Sequence, residues 1–414
     1  MDFRSIGMMS GKRLGDFLQI FGAYKVEWVT CENVYDESWR RLLEYANIEL
    51  AMEAIREIHG HDPKQEKNYK TKAEQVRFSL LQAKEYFEAA RTSSLFTQPN
   101  HLYYGAVALS TACMVIRGDG KKSLDYLRKN SKSSHGLNFT FSASSNTSKQ
   151  GFKLLENSRV EILQDGHFAN WYSTLKKEQK TYGFVTETRG NNFGYSDLKS
   201  VGTSTIPDFN NILLNAKKHS LDTIIKTLPD LASDLVRYGM TVNAARGEHQ
   251  MNLDHNNKRY ESIFTFHGSP SHNALMAVVN GFKSDNLIPL IEIADGARSG
   301  VVSFSSDGKH SFTYPDSRET LDHRVIFYED GLIKVPEVVD LFLISYALSM
   351  LSRYYPDIWV PFLESHCKGA KLVEQIVHVL TLKLTTLMLN QISNQHLIIS
   401  NHKQSQPLST YQII

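Results

Sequence analysis

The sequence predicts a mainly α protein of the α+β class: a helical-bundle core built from N- and C-terminal helices, with a small antiparallel β insertion between them. Three observations lead there. Long helix-periodic segments stand toward both ends of the chain. One of them, "PNHLYYGAVALSTACMVIRG", is apolar nearly all round, so it needs neighbours on every side. Between the helical blocks, residues 256–335 become short β-branched and aromatic runs separated by turns.

In chain order, residues 1–34 read as an irregular N-terminal arm, with Gly7, Gly11, Gly15 and Gly22 spaced through it. Residues 35–195 form an N-terminal helical region. It opens with "DESWRRLLEYANIELAMEAIREIHG", where Asp36 is the expected N-cap and Gly60 and Pro63 end the helix. "KNYKTKAEQVRFSLLQAKEYFEAARTSS" is the second helix, with Val76, Leu80, Ala83, Phe87 and Ala90 on one side. Pro99 opens the third, and Gly118 and Gly120 break it. Residues 128–150, rich in Ser and Asn, read as a polar loop.

"VEILQDGHFANWYSTL" follows as a strand, an Asp-Gly turn and a helix. Residues 196–255 read as a helical connector, with Pro207 and Pro229 near helix starts. In the β insertion, "VVSFSSDGKHSFTY" is the clearest hairpin, turning at Asp307-Gly308. Residues 336–394 return to helix and complete the core, and 395–414 form a polar tail.

The totals narrow the function classes. Lys and Arg number 46 against 44 Asp and Glu, a net charge of +2, which argues against a strongly basic nucleic-acid platform. Cys31, Cys113 and Cys367 are scattered and show no CxxC spacing, so neither a zinc finger nor a disulfide framework is expected. The N-terminus lacks the continuous apolar core of a signal peptide, and a cytoplasmic location is expected. The apolar run "VVDLFLISYALSMLS" is shorter than the roughly 20 residues of a bilayer span, so no membrane partner is expected. No phosphate loop, dinucleotide fingerprint or G-x-S-x-G elbow occurs, and no cofactor or metal is expected.

Four stretches together resemble the YaaC-like protein family, an uncharacterised group of mainly bacterial proteins. They are "SWRRLLEYANIELA", "AKEYFEAARTSSLFTQPNHLYYGAVALSTACMVIRG" with "HGLNF" after it, "VEILQDGHFANW" and "PEVVDLFLISYALSMLSRYYPDIW". Their order and spacing carry the resemblance over residues 36–393. It implies no activity and no catalytic residues.

A second, partial resemblance is to HEPN-type helical domains, many of which are metal-independent ribonucleases. It rests on the paired tyrosines and small residues of "PNHLYYGAVALSTACMVIRG" and on Arg128 and His135, with six residues between them in "RKNSKSSH". It implies an endoribonuclease in which Arg128 holds a phosphate and His135 moves a proton. The bland alternative is a solvated polar loop.

Asp295 and Arg298 in "ADGARSG" could cradle an anion or other ligand in a Gly-rich turn, or simply precede a hairpin. In "RYYPDIWVPFLE", Arg353, Tyr354, Tyr355, Pro356 and Trp359 read as a structural signature. Pro356 ends the preceding helix, Arg353 favours its C-terminal dipole, and Trp359 covers its end. "HGSPSHN" could bind a metal or host a Ser/His pair but reads more simply as a turn, and in "RGEHQMNLDHNNKRYE" His249 and His255 lack the i, i+4 spacing of a metal helix and read as a solvated connection.

The leading functional expectation is a cytosolic binding or assembly component with a protein partner or a second copy of itself, set in a bacterial antiviral or stress system. The alternative is the ribonuclease, with RNA as partner.

Overall fold

The computed structural model describes residues 26–119, 123–130, 134–142, 151–176, 178–189, 192–254, 259–267, 276, 288–294, 297–305, 316–329, 331–393, 396–400 and 410–413. The fold is α+β and mainly helical. Strand β1 (Val26–Thr30) leads into helices α1 (Val34–Glu44), α2 (Ile48–His59), α3 (Glu66–Thr92) and α4 (Gln98–Arg117). Then come the short α5 (Leu124–Asn130), β2 (Leu137–Phe141), α6 (Lys153–Glu156), β3 (Ser158–Ile162) and α7 (His167–Tyr172). Strands β4 (Glu178–Arg189) and β5 (Asn192–Thr205) precede α8 (Phe209–Asn215), β6 (Lys218–Ser220), α9 (Leu221–Ile225) and α10 (Ala232–Tyr238).

The strand-rich part continues with β7 (Ala244–Asp254), β8 (Arg259–His267), β9 (Ile288–Ala294), β10 (Ala297–Ser305), β11 (Ser317–Glu319) and β12 (Val325–Tyr328). Helices α11 (Glu337–Tyr354), α12 (Pro356–Glu364) and α13 (Lys368–Ile392) follow, then β13 (His396–Ser400) and β14 (Thr410–Ile413).

The core is the expected bundle. Helix α4 lies at its centre, in contact with α2, α3, α11 and α13. Its residues from Leu102 to Ile116 are largely buried, and so are all of those from Glu337 to Ser349 in α11. This is why both stretches are apolar on every face. Gly105 lets α3 approach closely: a Cβ there would stand 2.6 Å from the Phe87 ring. Helix α13 is long and apolar enough to cross a membrane, but 72% of its most apolar window is buried in this core.

Several local expectations give way to longer-range order. The first helical segment is two helices. Asn33 rather than Asp36 caps the first, accepting from the Tyr35 and Asp36 amides, and Asn47 caps the second. Within the polar loop 128–150, residues Leu137–Phe141 form a strand paired antiparallel with β3. Within 196–255, three short helices lie between strands: β5 pairs with β4, and β7 pairs with β8. Short runs do not declare their state by periodicity, and the strand they pair with decides it.

The antiparallel β region is larger than the insertion expected at 256–335. It forms a nine-stranded sheet in the order β5-β4-β14-β7-β8-β10-β9, with β12 also on β7 and β11 on β12. The polar tail enters it: β14 lies parallel between β4 and β7, and β13 pairs parallel with β1. Asp307-Gly308, the turn of the expected hairpin, lies outside the described residues.

Candidate functional site

The site is built where the loop before β2 meets α4 and the end of α11. Its geometry rests on two glycines. Gly136 and Gly166 both have positive φ, +74° and +116°, and a Cβ on Gly166 would lie 2.5 Å from the Gly136 Cα. Only glycine permits both the conformation and the approach. The two loops are then strapped together. The His167 amide donates to the Ser134 carbonyl (3.1 Å), that of Phe168 to His135 (3.0 Å), and that of Leu163 to Gly136 (3.0 Å). Downstream, Tyr346 donates its hydroxyl to the Leu137 carbonyl (3.1 Å), while Phe139 and Phe141 pack edge-on against Tyr355. His135 is thereby held against the central helix.

Tyr103 and Tyr104 of α4 face two different groups. The Tyr103 hydroxyl lies 2.8 Å from His135 Nδ1, and the two rings meet edge to face at 5.4 Å. Burial first, then Tyr346, pushes the Tyr103 hydroxyl well above the usual tyrosine range, so it keeps its proton. Burial first, then the Arg353 charge, pulls His135 below its ordinary value. Tyr103 therefore donates to Nδ1, and the proton of the neutral imidazole sits on Nε2.

Tyr104 stacks on Tyr86 (5.7 Å, 28°) and accepts a 2.8 Å hydrogen bond from Arg353 Nη1. Arg353 is half-buried in the last turn of α11. Its Nε donates to the Ser349 carbonyl at 3.3 Å, and its guanidinium stands 5.2 Å from the ring of the exposed Tyr354. Among the described residues it has no carboxylate partner. A half-buried guanidinium with donors to spare is a receptor for an oxyanion.

Behind His135 lies a second pair. His167 Nε2 is 2.6 Å from Ser110 Oγ, which suggests a nucleophile and its base. The hydroxyl proton argues otherwise: Ser110 donates it to the Val107 carbonyl at 2.8 Å, so the imidazole N–H donates to Ser110. Burial, then His135, pulls His167 down to about 4, and its ring stacks on Phe342. This pair is a packing element.

The structure therefore joins two residues that sequence reasoning kept apart, His135 and Arg353. Arg128 lies on the short helix α5, and nothing is described of its side chain. Asp295 lies outside the described residues, while Arg298 sits on β10 in register with Phe266 and Ile293. Helix α11 ends at Tyr354 and Pro356 begins α12 after the single residue Tyr355, and Trp359 is fully buried, its indole donating to the Phe96 carbonyl at 3.1 Å. Sequence reasoning used Tyr103 and Tyr104 only as part of the HEPN resemblance and gave no role to Ser110, His167 or Tyr346. The available signal was polar side chains inside helices otherwise apolar all round. Among the described residues, no group of three or more His, Cys, Asp and Glu could hold a metal ion.

A mainly helical α+β body with one open arginine–tyrosine–histidine cluster at its central helix is the class of protein these features define. The chain belongs to the YaaC-like protein family, whose profile matches residues 44–392, from the end of α1 to the last residue of α13. Comparison with curated proteins and with solved structures gives no match. The resemblance to HEPN domains finds no support in these comparisons.

Proposed function

We propose that the protein is a cytoplasmic binding component whose ligand presents an oxyanion to Arg353. The observation that carries this is the half-buried guanidinium, fixed by Tyr104 and the Ser349 carbonyl and without a carboxylate among the described residues. The Tyr86–Tyr104 stack and the exposed Tyr354 add aromatic surface beside it. A ligand with a phosphate next to a flat apolar group suits such a lining. The reading extends to a protein partner or a second copy of the chain, in an antiviral or stress setting; neighbouring genes test that setting.

Calorimetry with inorganic phosphate and adenosine monophosphate tests the site. A saturable binding event that Arg353→Gln removes is expected, with the nucleotide the tighter ligand at that site. No binding of either, or binding indifferent to Arg353→Gln, rejects the reading.

One observation favours a second reading, RNA cleavage: a neutral imidazole beside a guanidinium can move a proton while the cation holds a phosphate. Metal-independent RNA cleavage and growth arrest on overexpression, both lost in His135→Ala, are its expected results. Arg128→Ala against Arg353→Gln would show which arginine serves it. Absence of toxicity, or toxicity surviving His135→Ala, discards it.

A further inference from the structure

Among the described residues, enclosed cations are answered by carboxylates, and a second pair departs from that pattern. Arg318 and Lys383 are enclosed and paired with carboxylates, and Lys72 lies near Asp119. Arg117 and Lys176 do not follow it. Both are half-buried, and among the described residues neither has a carboxylate partner.

Their positions are fixed by backbone. Arg117 ends α4 and donates from Nε to the Thr174 carbonyl at 3.2 Å, which brings it against the segment that carries Lys176. The Lys176 amide donates to the Gln391 side chain (3.0 Å), and its ammonium donates to the Asn390 carbonyl in the last turn of α13. These bonds use one N–H of each cation. The Arg117 Nη groups and two ammonium hydrogens remain to be satisfied.

Two like charges held together in a partly desolvated place repel. Burial, then Arg117, pulls Lys176 down to about 7, and burial lowers Arg117. The carbonyls at the end of α13 offset part of this. Those at the end of α4 are already engaged, Ile116 by His59 (2.9 Å) and Gly118 by Lys72 (3.1 Å). An anion would satisfy both the charge and the free donors.

We propose that Arg117 and Lys176 form a second oxyanion-binding site, which takes the phosphate or carboxylate group of a small molecule. It lies thirteen residues along α4 from Tyr104, about 20 Å at the helical rise, and is independent of the Arg353 site.

The test uses the full chain carrying Arg353→Gln, so that any remaining binding is not at Arg353. Calorimetry with inorganic phosphate and with succinate, at matched ionic strength, is expected to give saturable binding of at least one; which one binds tells phosphate from carboxylate. Adding Arg117→Gln or Lys176→Gln should weaken it roughly tenfold or more. A second measurement needs no substitution. Limited acetylation followed by mass spectrometry should show Lys176 protected by the binding anion, while the exposed Lys64 is unaffected. Absence of binding in the Arg353→Gln chain, binding kept without Arg117, or Lys176 unprotected by either anion would each overturn the proposal.

Discussion

Two polar clusters in the helical body make opposite use of the same residue types. The first, at the N-terminal end of α11, is closed. Arg318 reaches Asp340 Oδ2 at 2.7 Å, Thr227 Oγ1 at 2.8 Å and the Val335 carbonyl at 2.7 Å, while Lys383 lies 2.6 Å from both Asp230 and Glu337. Burial alone would lower Arg318 and Lys383, but the facing carboxylates reverse this and hold both above their ordinary values. The second cluster, at the other end of the same helix, is open: Arg353 meets the Tyr104 hydroxyl, aromatic rings, a carbonyl and the Met350 sulfur. The contrast teaches that enclosure alone does not mark function. A cluster whose charges answer one another holds β11 and the Pro229–Leu231 turn onto α11 and α13. A cluster with a charge left over has something to offer a ligand.

The largest expected effect breaks the closed cluster. Asp340→Ala leaves Arg318 enclosed without its carboxylate and should cost ~3–5 kcal/mol in urea denaturation. The double change Arg318→Met with Asp340→Leu should recover most of that loss. A cost under ~1 kcal/mol for Asp340→Ala would mean that the cluster does not hold the two parts together.

Next comes pH. His167 is depressed from 6.5 to about 4, so the unfolded chain takes up this proton first as pH falls. Its contribution is full above pH 6.5 and is lost as pH falls through the folded value near 4. The loss reaches up to ~3 kcal/mol, less whatever solvent reaches the ring. Urea midpoints across that window should slope more gently in His167→Gln, which keeps the donor to Ser110. His59, His135 and His219 are lowered too, so part of the slope remains.

Gly166→Ala tests the clamp that places His135. Its positive φ and the 2.5 Å approach to Gly136 predict a loss of ~1–3 kcal/mol, with weaker ligand binding at Arg353. Unchanged stability would show that the two loops can part without consequence.

The smallest effect on stability belongs to the open cluster. Arg353→Gln should change the unfolding free energy measured in urea by less than ~1 kcal/mol while removing the Arg353 anion site. A loss as large as that of Asp340→Ala would erase the comparison and make Arg353 a structural residue.

Part of the site was legible. His135, Arg353 and the Tyr103–Tyr104 pair stand in the most distinctive stretches of the sequence. Their meeting was not, because Arg353 and Tyr104 are 249 positions apart and nothing local links them. Asp340 was a similar case: one carboxylate inside "VVDLFLISY" has no explanation until Arg318 arrives from a strand.

The sequence alone determined the mainly helical α+β class, the helices with a clear apolar stripe or an all-round apolar surface, and the family. These depend on period and on neighbours within a turn or two, which a sequence displays directly. The tertiary structure decided the parallel docking of β14 between β4 and β7, the strand inside the expected polar loop, and the division into a closed and an open cluster. Each rests on partners beyond the local window, from the β2–β3 pair to the docking of β14 on β4. Strand pairing and charge compensation are settled by which groups meet, and composition does not record that.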